Sequence, residues 1–106
     1  TIFKNRRDLI LSELSTIDHV VCEKPNGAFY VFPDFSYYLQ STDTENNMIK
    51  TSSDLSLYIL RTTGVVSVAG DSFGAPGFIR FSYATSDETI IGAMGLVKNT
   101  IKKLGF

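Results

Sequence analysis

Residues 64–83, with the sequence GVVSVAGDSFGAPGFIRFSY, contain two apolar segments separated by a glycine-rich connection. The segments 65–68 and 78–83 are rich in β-branched and aromatic residues, which favour strands. The connection holds Gly70, Gly74 and Gly77, and glycine accepts the positive φ angles of a tight loop at no steric cost. We therefore predict two strands joined by a tight loop.

Three further segments have the apolar spacing of amphipathic helices. They cover residues 3–17, 53–63 and 85–104, and their apolar positions are Phe3, Ile10, Leu14 and Ile17, then Leu55, Tyr58 and Ile59, then Ile90, Met94, Val97, Ile101 and Leu104. Ser53 is the predicted N-cap of the second helix, and Gly64 is its predicted end. Thr85 and Glu88 predict a capping box for the third helix, which we expect to end at Gly105.

The first half of the chain also contains two β-prone segments. Residues 20–22 and 28–32 are separated by a predicted turn at 25–27, and Pro33 ends the second segment because it has no N–H to donate. Residues 41–47 are polar and unpatterned, which predicts a mobile surface loop. The order of elements predicts an α+β fold, in which helices cover a small, mainly antiparallel sheet, in one domain of residues 1–106.

The composition is typical of an ordinary folded domain, with 106 residues and a net charge of -1. This charge offers no field that would attract a nucleic acid or an anionic membrane, and no apolar run is long enough to span a bilayer. Cys22 is the only cysteine, which excludes a disulfide framework and fits a reducing compartment, so we expect a cytoplasmic protein. The chain begins at Thr1 without an initiator Met, so we expect a processed end or a cut inside a longer chain.

No residue pattern predicts a self-sufficient catalytic site. His19 precedes Cys22 by three residues, but a dyad there would lack a third group to orient it, and a histidine at a helix-to-strand junction is the simpler interpretation. The three loop glycines lack the Lys-Ser/Thr of a phosphate-binding loop, which favours a tight turn. We therefore predict no catalytic and no metal-binding residue in this chain.

Arg80 is the candidate binding residue, because strand alternation places Ile79 and Phe81 on one face and Arg80 on the other. A guanidinium can bind a carboxylate through two parallel hydrogen bonds. The pattern alone leaves two interpretations of Arg80 open. It either binds an anion, or it is a strand arginine that is exposed or held in an internal salt bridge.

Two other classes of protein share the predicted fold class. An RNA-recognition domain also has aromatic residues on adjacent strands, but its consensus would fall on residues 76–80, where Pro76, Ile79 and Arg80 do not fit. A stand-alone module that binds a small ligand or regulates another protein, without catalytic activity, stays open as the alternative function.

Four segments resemble the small C-terminal domain of class I and II pyridoxal-phosphate-dependent aminotransferases, closest to the aspartate aminotransferase branch. These segments are residues 3–8 (FKNRRD), 25–33 (PNGAFYVFP), 64–74 (GVVSVAGDSFG) and 77–84 (GFIRFSYA). The resemblance extends over nearly the whole chain. It implies the fold of the small domain of fold-type I transferases.

The resemblance also implies roles for three residues. Arg80 matches the arginine that binds the substrate α-carboxylate, while Gly27 and Phe29 belong to the segment that closes over the substrate. The lysine that holds pyridoxal 5'-phosphate belongs to the large domain of such enzymes, so the resemblance implies no cofactor-binding residue in this chain.

By the same resemblance, the chain would be part of a larger enzyme. That parent would transfer an amino group between an amino acid, with aspartate as the first expectation, and a 2-oxo acid. The expected partners are the large domain of the same polypeptide, the amino-acid and 2-oxo-acid substrates, and a second subunit in a homodimer. The 106-residue chain alone is expected to be inactive.

Overall fold

The computed structural model of the protein describes residues 2–22, 30–82 and 86–105. Its helices and strands follow in the order α1 (Ile2–Ser15), β1 (Tyr30–Val31), β2 (Ser41–Thr42), β3 (Met48–Ile49), α2 (Ser52–Thr63), β4 (Val68–Ala69), β5 (Ile79–Ser82) and α3 (Asp87–Lys102). Short 3-10 helices cover Ser36–Tyr38 and Gly70–Phe73. Within the described ranges, no helix is both long enough and apolar enough to cross a membrane.

Strand β5 is the middle strand of a three-stranded antiparallel sheet with the order β1-β5-β4. Tyr30 of β1 lies opposite Ser82, and Val68 of β4 lies opposite Arg80. Strands β2 and β3 form a separate antiparallel hairpin. The predicted α+β fold with a small antiparallel sheet is confirmed.

The inner face of the sheet and the apolar sides of the three helices meet in one core cluster. Val31, Ile79 and Phe81 are the buried residues of β1 and β5. Helix α1 packs against α3, and α2 packs against both α3 and β4. The predicted helix positions are buried, namely Ile10, Leu14, Ile17, Leu55, Tyr58, Ile59, Ile90, Met94, Val97, Ile101 and Leu104. The Phe3 side chain lies outside the described part of the chain.

Two predicted strands are much shorter in the structure. Residues 20–22 form a single bridge, between Val21 and Asp34, and β4 begins only at Val68. Val21 is 66% exposed and Val66 is 74% exposed, so neither valine is buried against a neighbouring strand. β-Propensity largely reflects burial against neighbouring strands, and these valines lack that burial. Of the predicted strands 28–32 and 78–83, residues 28, 29 and 83 lie outside the described residues.

The N-cap of helix α2 lies two residues before the predicted N-cap, Ser53. Its N-cap is Thr51, whose hydroxyl accepts a hydrogen bond from the backbone N–H of Asp54. The Asp54 carboxylate in turn accepts the backbone N–H of Thr51 at 3.2 Å. This reciprocal pair satisfies two N–H groups at once, so Ser53 lies inside the first turn and is not the cap. Gly64 ends the helix as predicted, with φ at 76°.

Helix α3 also has different ends from those predicted. Its N-cap is Ser86, whose hydroxyl accepts the N–H of Thr89 at 3.2 Å, and the predicted cap Thr85 lies outside the described residues. The helix ends at Lys102, before Gly105. Gly105 instead forms a backbone bridge to Thr42, with N···O distances of 2.7 and 2.9 Å. Gly105, after α3, is therefore hydrogen-bonded to the β2–β3 hairpin.

Residues 41–47, predicted as a mobile surface loop, form strand β2 at Ser41–Thr42 and an exposed turn after it. Ser41 is fully buried and its hydroxyl donates to the Tyr38 carbonyl at 2.5 Å. The turn of the hairpin is closed by the Asp43 carboxylate, which accepts the backbone N–H groups of Glu45 and Asn47, each at 2.9 Å. Asx turns of this kind replace the apolar anchors that the segment lacks.

The Asp43 carboxylate should make the stability of the hairpin depend on pH. The N–H of Asn47 donates to this carboxylate and lowers its pKa below the ordinary value of 3.8. A group with a lowered folded-state pKa stabilises the fold above its ordinary pKa, and this contribution is lost as the pH falls through the folded-state pKa.

We expect Asp43→Asn to lower the free energy of unfolding at about pH 7, and this deficit to shrink at about pH 2. Urea unfolding at the two pH values measures the effect. Glu45→Gln is the matched control, because it removes an exposed acid from the same turn without touching these bonds. An Asp43→Asn deficit that is equal at both pH values would contradict a contribution from the charge.

Candidate functional site

Arg80 lies on the outer face of the central strand. Its neighbours Ile79 and Phe81 are 0% and 2% exposed on the inner face, whereas Arg80 itself is half-buried. The predicted alternation is therefore confirmed. The two buried neighbours fix the backbone of β5, so the strand holds the base of the Arg80 side chain in one place.

The guanidinium of Arg80 lies over an aromatic ring from the adjacent strand. Its central carbon, Cζ, is 4.3 Å from the centroid of the Tyr30 ring. A cation within about 6 Å of a ring centroid is attracted by the negative face of the ring. The sequence alone does not predict this contact, because Tyr30 and Arg80 become neighbours only through the register of β1 on β5.

The three glycines before β5 bond to the protein itself. The N–H of Gly70 donates to the Phe78 carbonyl at 2.7 Å, the N–H of Gly74 to the Asp71 carbonyl at 3.4 Å, and the N–H of Gly77 to the Ser52 hydroxyl at 2.6 Å. A phosphate-binding loop would instead direct such N–H groups at its ligand. The interpretation as a tight turn is supported.

Two of these positions require glycine, because a side chain there would collide with neighbouring atoms. Gly77 has φ at 90°, and a Cβ on it would approach the Ser36 Cβ to 2.7 Å. A Cβ on Gly70 would collide with the carbonyl oxygens of Ala75 and Phe78. The loop therefore leads into β5 along a path that a side chain at either position would obstruct.

The N-terminus of α2 anchors this loop from the side. Ser52 is fully buried and accepts the N–H of Gly77, while the Asp71 carboxylate accepts both the N–H and the hydroxyl of Ser53, at 2.8 and 2.9 Å. A carboxylate at a helix N-terminus is favoured by the helix dipole. Sequence reasoning missed Ser52 and Asp71, since all three hydrogen bonds join residues that are distant in the chain.

The other two predicted site residues, Gly27 and Phe29, lie outside the described residues. Their roles stay predictions. Phe29 directly precedes Tyr30 in the sequence, so the segment that contains both predicted residues leads into the strand that carries the Tyr30 ring.

His19, the histidine that a dyad with Cys22 would require, contacts an aromatic ring in the structure. It is exposed, it has φ at 64°, and its ring stacks on that of Tyr37 with centroids 3.8 Å apart. Cys22 is half-buried and packs against the core cluster. In the described ranges, no three His, Cys, Asp or Glu side chains are grouped so that they could hold a metal ion.

The sequence model of the family Aminotransferase class I and II matches residues 1–94. The chain belongs to this family. A probable aspartate/prephenate aminotransferase of Aquifex aeolicus is 38% identical over 104 residues, which are 96% of this chain and 24% of that protein.

Solved aminotransferase structures share the fold. The aspartate aminotransferase of Rhizobium meliloti superposes with a TM-score of 0.93 at 35% identity, over 97% of this chain and 26% of that one. The alanine aminotransferase of Pyrococcus furiosus gives a TM-score of 0.79 at 29% identity, over 95% and 24%. The chain thus spans about a quarter of the length of these relatives.

Aminotransferases of this family use pyridoxal 5'-phosphate, which such enzymes bind as an imine on a lysine. None of the described strands β1, β4 and β5 contains a lysine. The described lysines lie on the helices or beside them, at Lys4, Lys50, Lys98, Lys102 and Lys103. Among these described strands, β5 thus contributes the Arg80 guanidinium, and none contributes a lysine amine.

The bond between Ser52 and Gly77 should contribute measurably to stability. Ser52→Ala leaves a buried backbone N–H without an acceptor, and such a loss costs about 1–3 kcal/mol. Ser53→Ala is the matched control, since its bond to Asp71 is exposed and its loss should cost no more than about 1 kcal/mol. Urea unfolding measures both variants, and equal losses would show that burial of the Gly77 bond adds nothing.

Proposed function

We propose that this chain is the small, C-terminal domain of a pyridoxal-phosphate-dependent aminotransferase, and that Arg80 binds the α-carboxylate of the substrate. The observation that carries the proposal is the position of Arg80, half-buried on the outer face of a strand whose other face is fixed in the core. Membership of the aminotransferase family over residues 1–94 supports it.

The chemistry of transamination explains why a rigid arginine is useful. The bond that breaks, Cα–H, must stand perpendicular to the cofactor ring, so the amino acid needs a fixed orientation. A guanidinium that donates two parallel hydrogen bonds to a carboxylate fixes both position and rotation. Such a charged pair is roughly twice as strong as neutral hydrogen bonds.

The remaining parts of the reaction belong to other elements of the parent enzyme. We propose that a large domain of the same polypeptide holds the cofactor and supplies its lysine, and that the parent is a homodimer. The relatives are about four times as long as this chain, which leaves room for such a domain. Gly27 and Phe29 are proposed to close over the substrate, and a cytoplasmic location stays a prediction.

Aspartate is the proposed amino-acid substrate of the parent, with a 2-oxo acid as acceptor. The support is the naming of several relatives, among them a probable aspartate/prephenate aminotransferase and an aspartate aminotransferase. An alanine aminotransferase has the same fold at a lower TM-score, so the test includes alanine beside aspartate.

Substitution of Arg80 in a complete enzyme tests the proposal. The matched segment of the Rhizobium meliloti aspartate aminotransferase is replaced by this chain, and the cofactor-loaded chimera is assayed with aspartate and alanine. Truncation of one partner in a hydrogen-bonded charge pair costs about 2–5 kcal/mol. At about 1.4 kcal/mol for each tenfold, Arg80→Ala should lower kcat/KM by roughly thirtyfold to a few thousandfold.

The control variants separate binding from folding. Arg80→Lys keeps the charge without the planar fork and should recover part of kcat/KM. Arg61→Ala removes an exposed arginine from the last turn of α2 and should leave kcat/KM unchanged. If the Arg80→Ala chimera is folded and cofactor-loaded and its kcat/KM equals that of the unsubstituted chimera, the proposed role is refuted.

The division of the parent enzyme into a cofactor-binding large domain and this small domain is tested with the 106-residue chain itself. We expect that added pyridoxal 5'-phosphate gives no stoichiometric imine chromophore and that borohydride traps no specific lysine. A lysine-linked chromophore at one site would show a cofactor site within this chain, and the division of labour between two domains would then be wrong.

A further inference from the structure

The register of the sheet brings one aromatic ring to Arg80. Tyr30 lies opposite Ser82, and Arg80 is two residues before Ser82 on the same face of β5. Diagonal neighbours of this kind are about 7–8 Å apart at the backbone, within reach of long and aromatic side chains. The distance of 4.3 Å from the Arg80 Cζ to the Tyr30 ring centroid shows that the two side chains meet.

The cross-strand neighbour on the other side of Arg80 is of a different kind. Val68 is the residue of β4 directly opposite Arg80, and its short aliphatic side chain offers no electrostatic attraction to a guanidinium. Of these two neighbours, the Tyr30 ring is the one that attracts the Arg80 side chain, and it does so from the side of β1. A ring face attracts a cation through its quadrupole, so it restrains the guanidinium without neutralising its charge as a carboxylate would.

Strands β1 and β5 are both held in place by buried residues on the inner face of the sheet. Val31 pairs with Phe81, and these residues are 0% and 2% exposed. Val31 directly follows Tyr30 in the sequence, and Phe81 directly follows Arg80. The ring and the guanidinium thus project from backbone that the core holds in place, which is what a preorganised binding group requires.

We propose that Tyr30 is a positioning residue, whose ring face holds the Arg80 guanidinium in the orientation that binds a substrate carboxylate. The inference rests on the proposed function of Arg80. The ring carries the effect and the hydroxyl does not, because the contact in the structure is between the guanidinium and the ring.

The aminotransferase chimera with variants at Tyr30 tests this role. Tyr30→Phe keeps the ring and should change kcat/KM for aspartate by less than about twofold. Tyr30→Leu removes the ring and should lower kcat/KM about three- to tenfold, mainly through a higher KM, as expected from the loss of one cation–π contact. Tyr37→Leu is the matched control, an exposed tyrosine whose ring stacks on His19, and should have no effect.

A double-mutant cycle distinguishes positioning from a general structural role. If Tyr30 acts through the guanidinium, Tyr30→Leu should change kcat/KM by less than about twofold in a chimera that already carries Arg80→Ala. Thermal unfolding and bound cofactor are measured for every variant to show that each chimera is folded.

The outcomes separate this inference from the proposed function. An unchanged kcat/KM in Tyr30→Leu, or an equal loss in Tyr30→Phe, would overturn the positioning role while a large loss in Arg80→Ala would leave the proposed function standing. A Tyr30→Leu loss that persists in the Arg80→Ala background would also overturn it. Full activity of Arg80→Ala itself would overturn both.

Discussion

The alternation of β5 between core and surface is the constraint on which the rest of the structure depends. Ile79 and Phe81 can be buried only if the strand presents its other face outward, and that face carries Arg80. A slip of one residue would put the guanidinium in the core and the two apolar side chains in water. Because such a slip would cost free energy, the register of β5 is fixed. The register in turn determines which residues of β1 and β4 lie beside Arg80.

The glycine-containing loop that precedes β5 is also held in a fixed conformation. Gly77 has a carbonyl that accepts the Phe35 N–H at 2.8 Å and an N–H that donates to Ser52, so the turn is tied to elements on two sides. The first turn of α2 and the glycine loop thus form one unit. A binding group placed directly after such a loop needs this support, because loops without it are the mobile parts of a fold.

Sequence patterns predicted what depends on periodicity. The helix positions Leu14, Leu55 and Val97 and the alternation around Arg80 follow from burial alone, and the structure confirms them. The N-cap of α2 was harder to predict than the buried positions. Residues 51–53 all have hydroxyl side chains, and their capping propensities are similar. The bridge from Thr42 to Gly105 and the contact of Tyr30 with Arg80 depend on tertiary register, which no local pattern contains.

The small net charge of the chain bears on how Arg80 could bind a substrate. A net charge of -1 gives no long-range attraction for an anionic amino acid, and charges farther apart than about 8 Å are screened at physiological salt. In the role proposed for Arg80, the attraction that this chain contributes to a carboxylate would come from short-range hydrogen bonds at Arg80 itself. Such bonds weaken steeply with misalignment, so a ring that restrains the guanidinium would add to affinity without adding any charge.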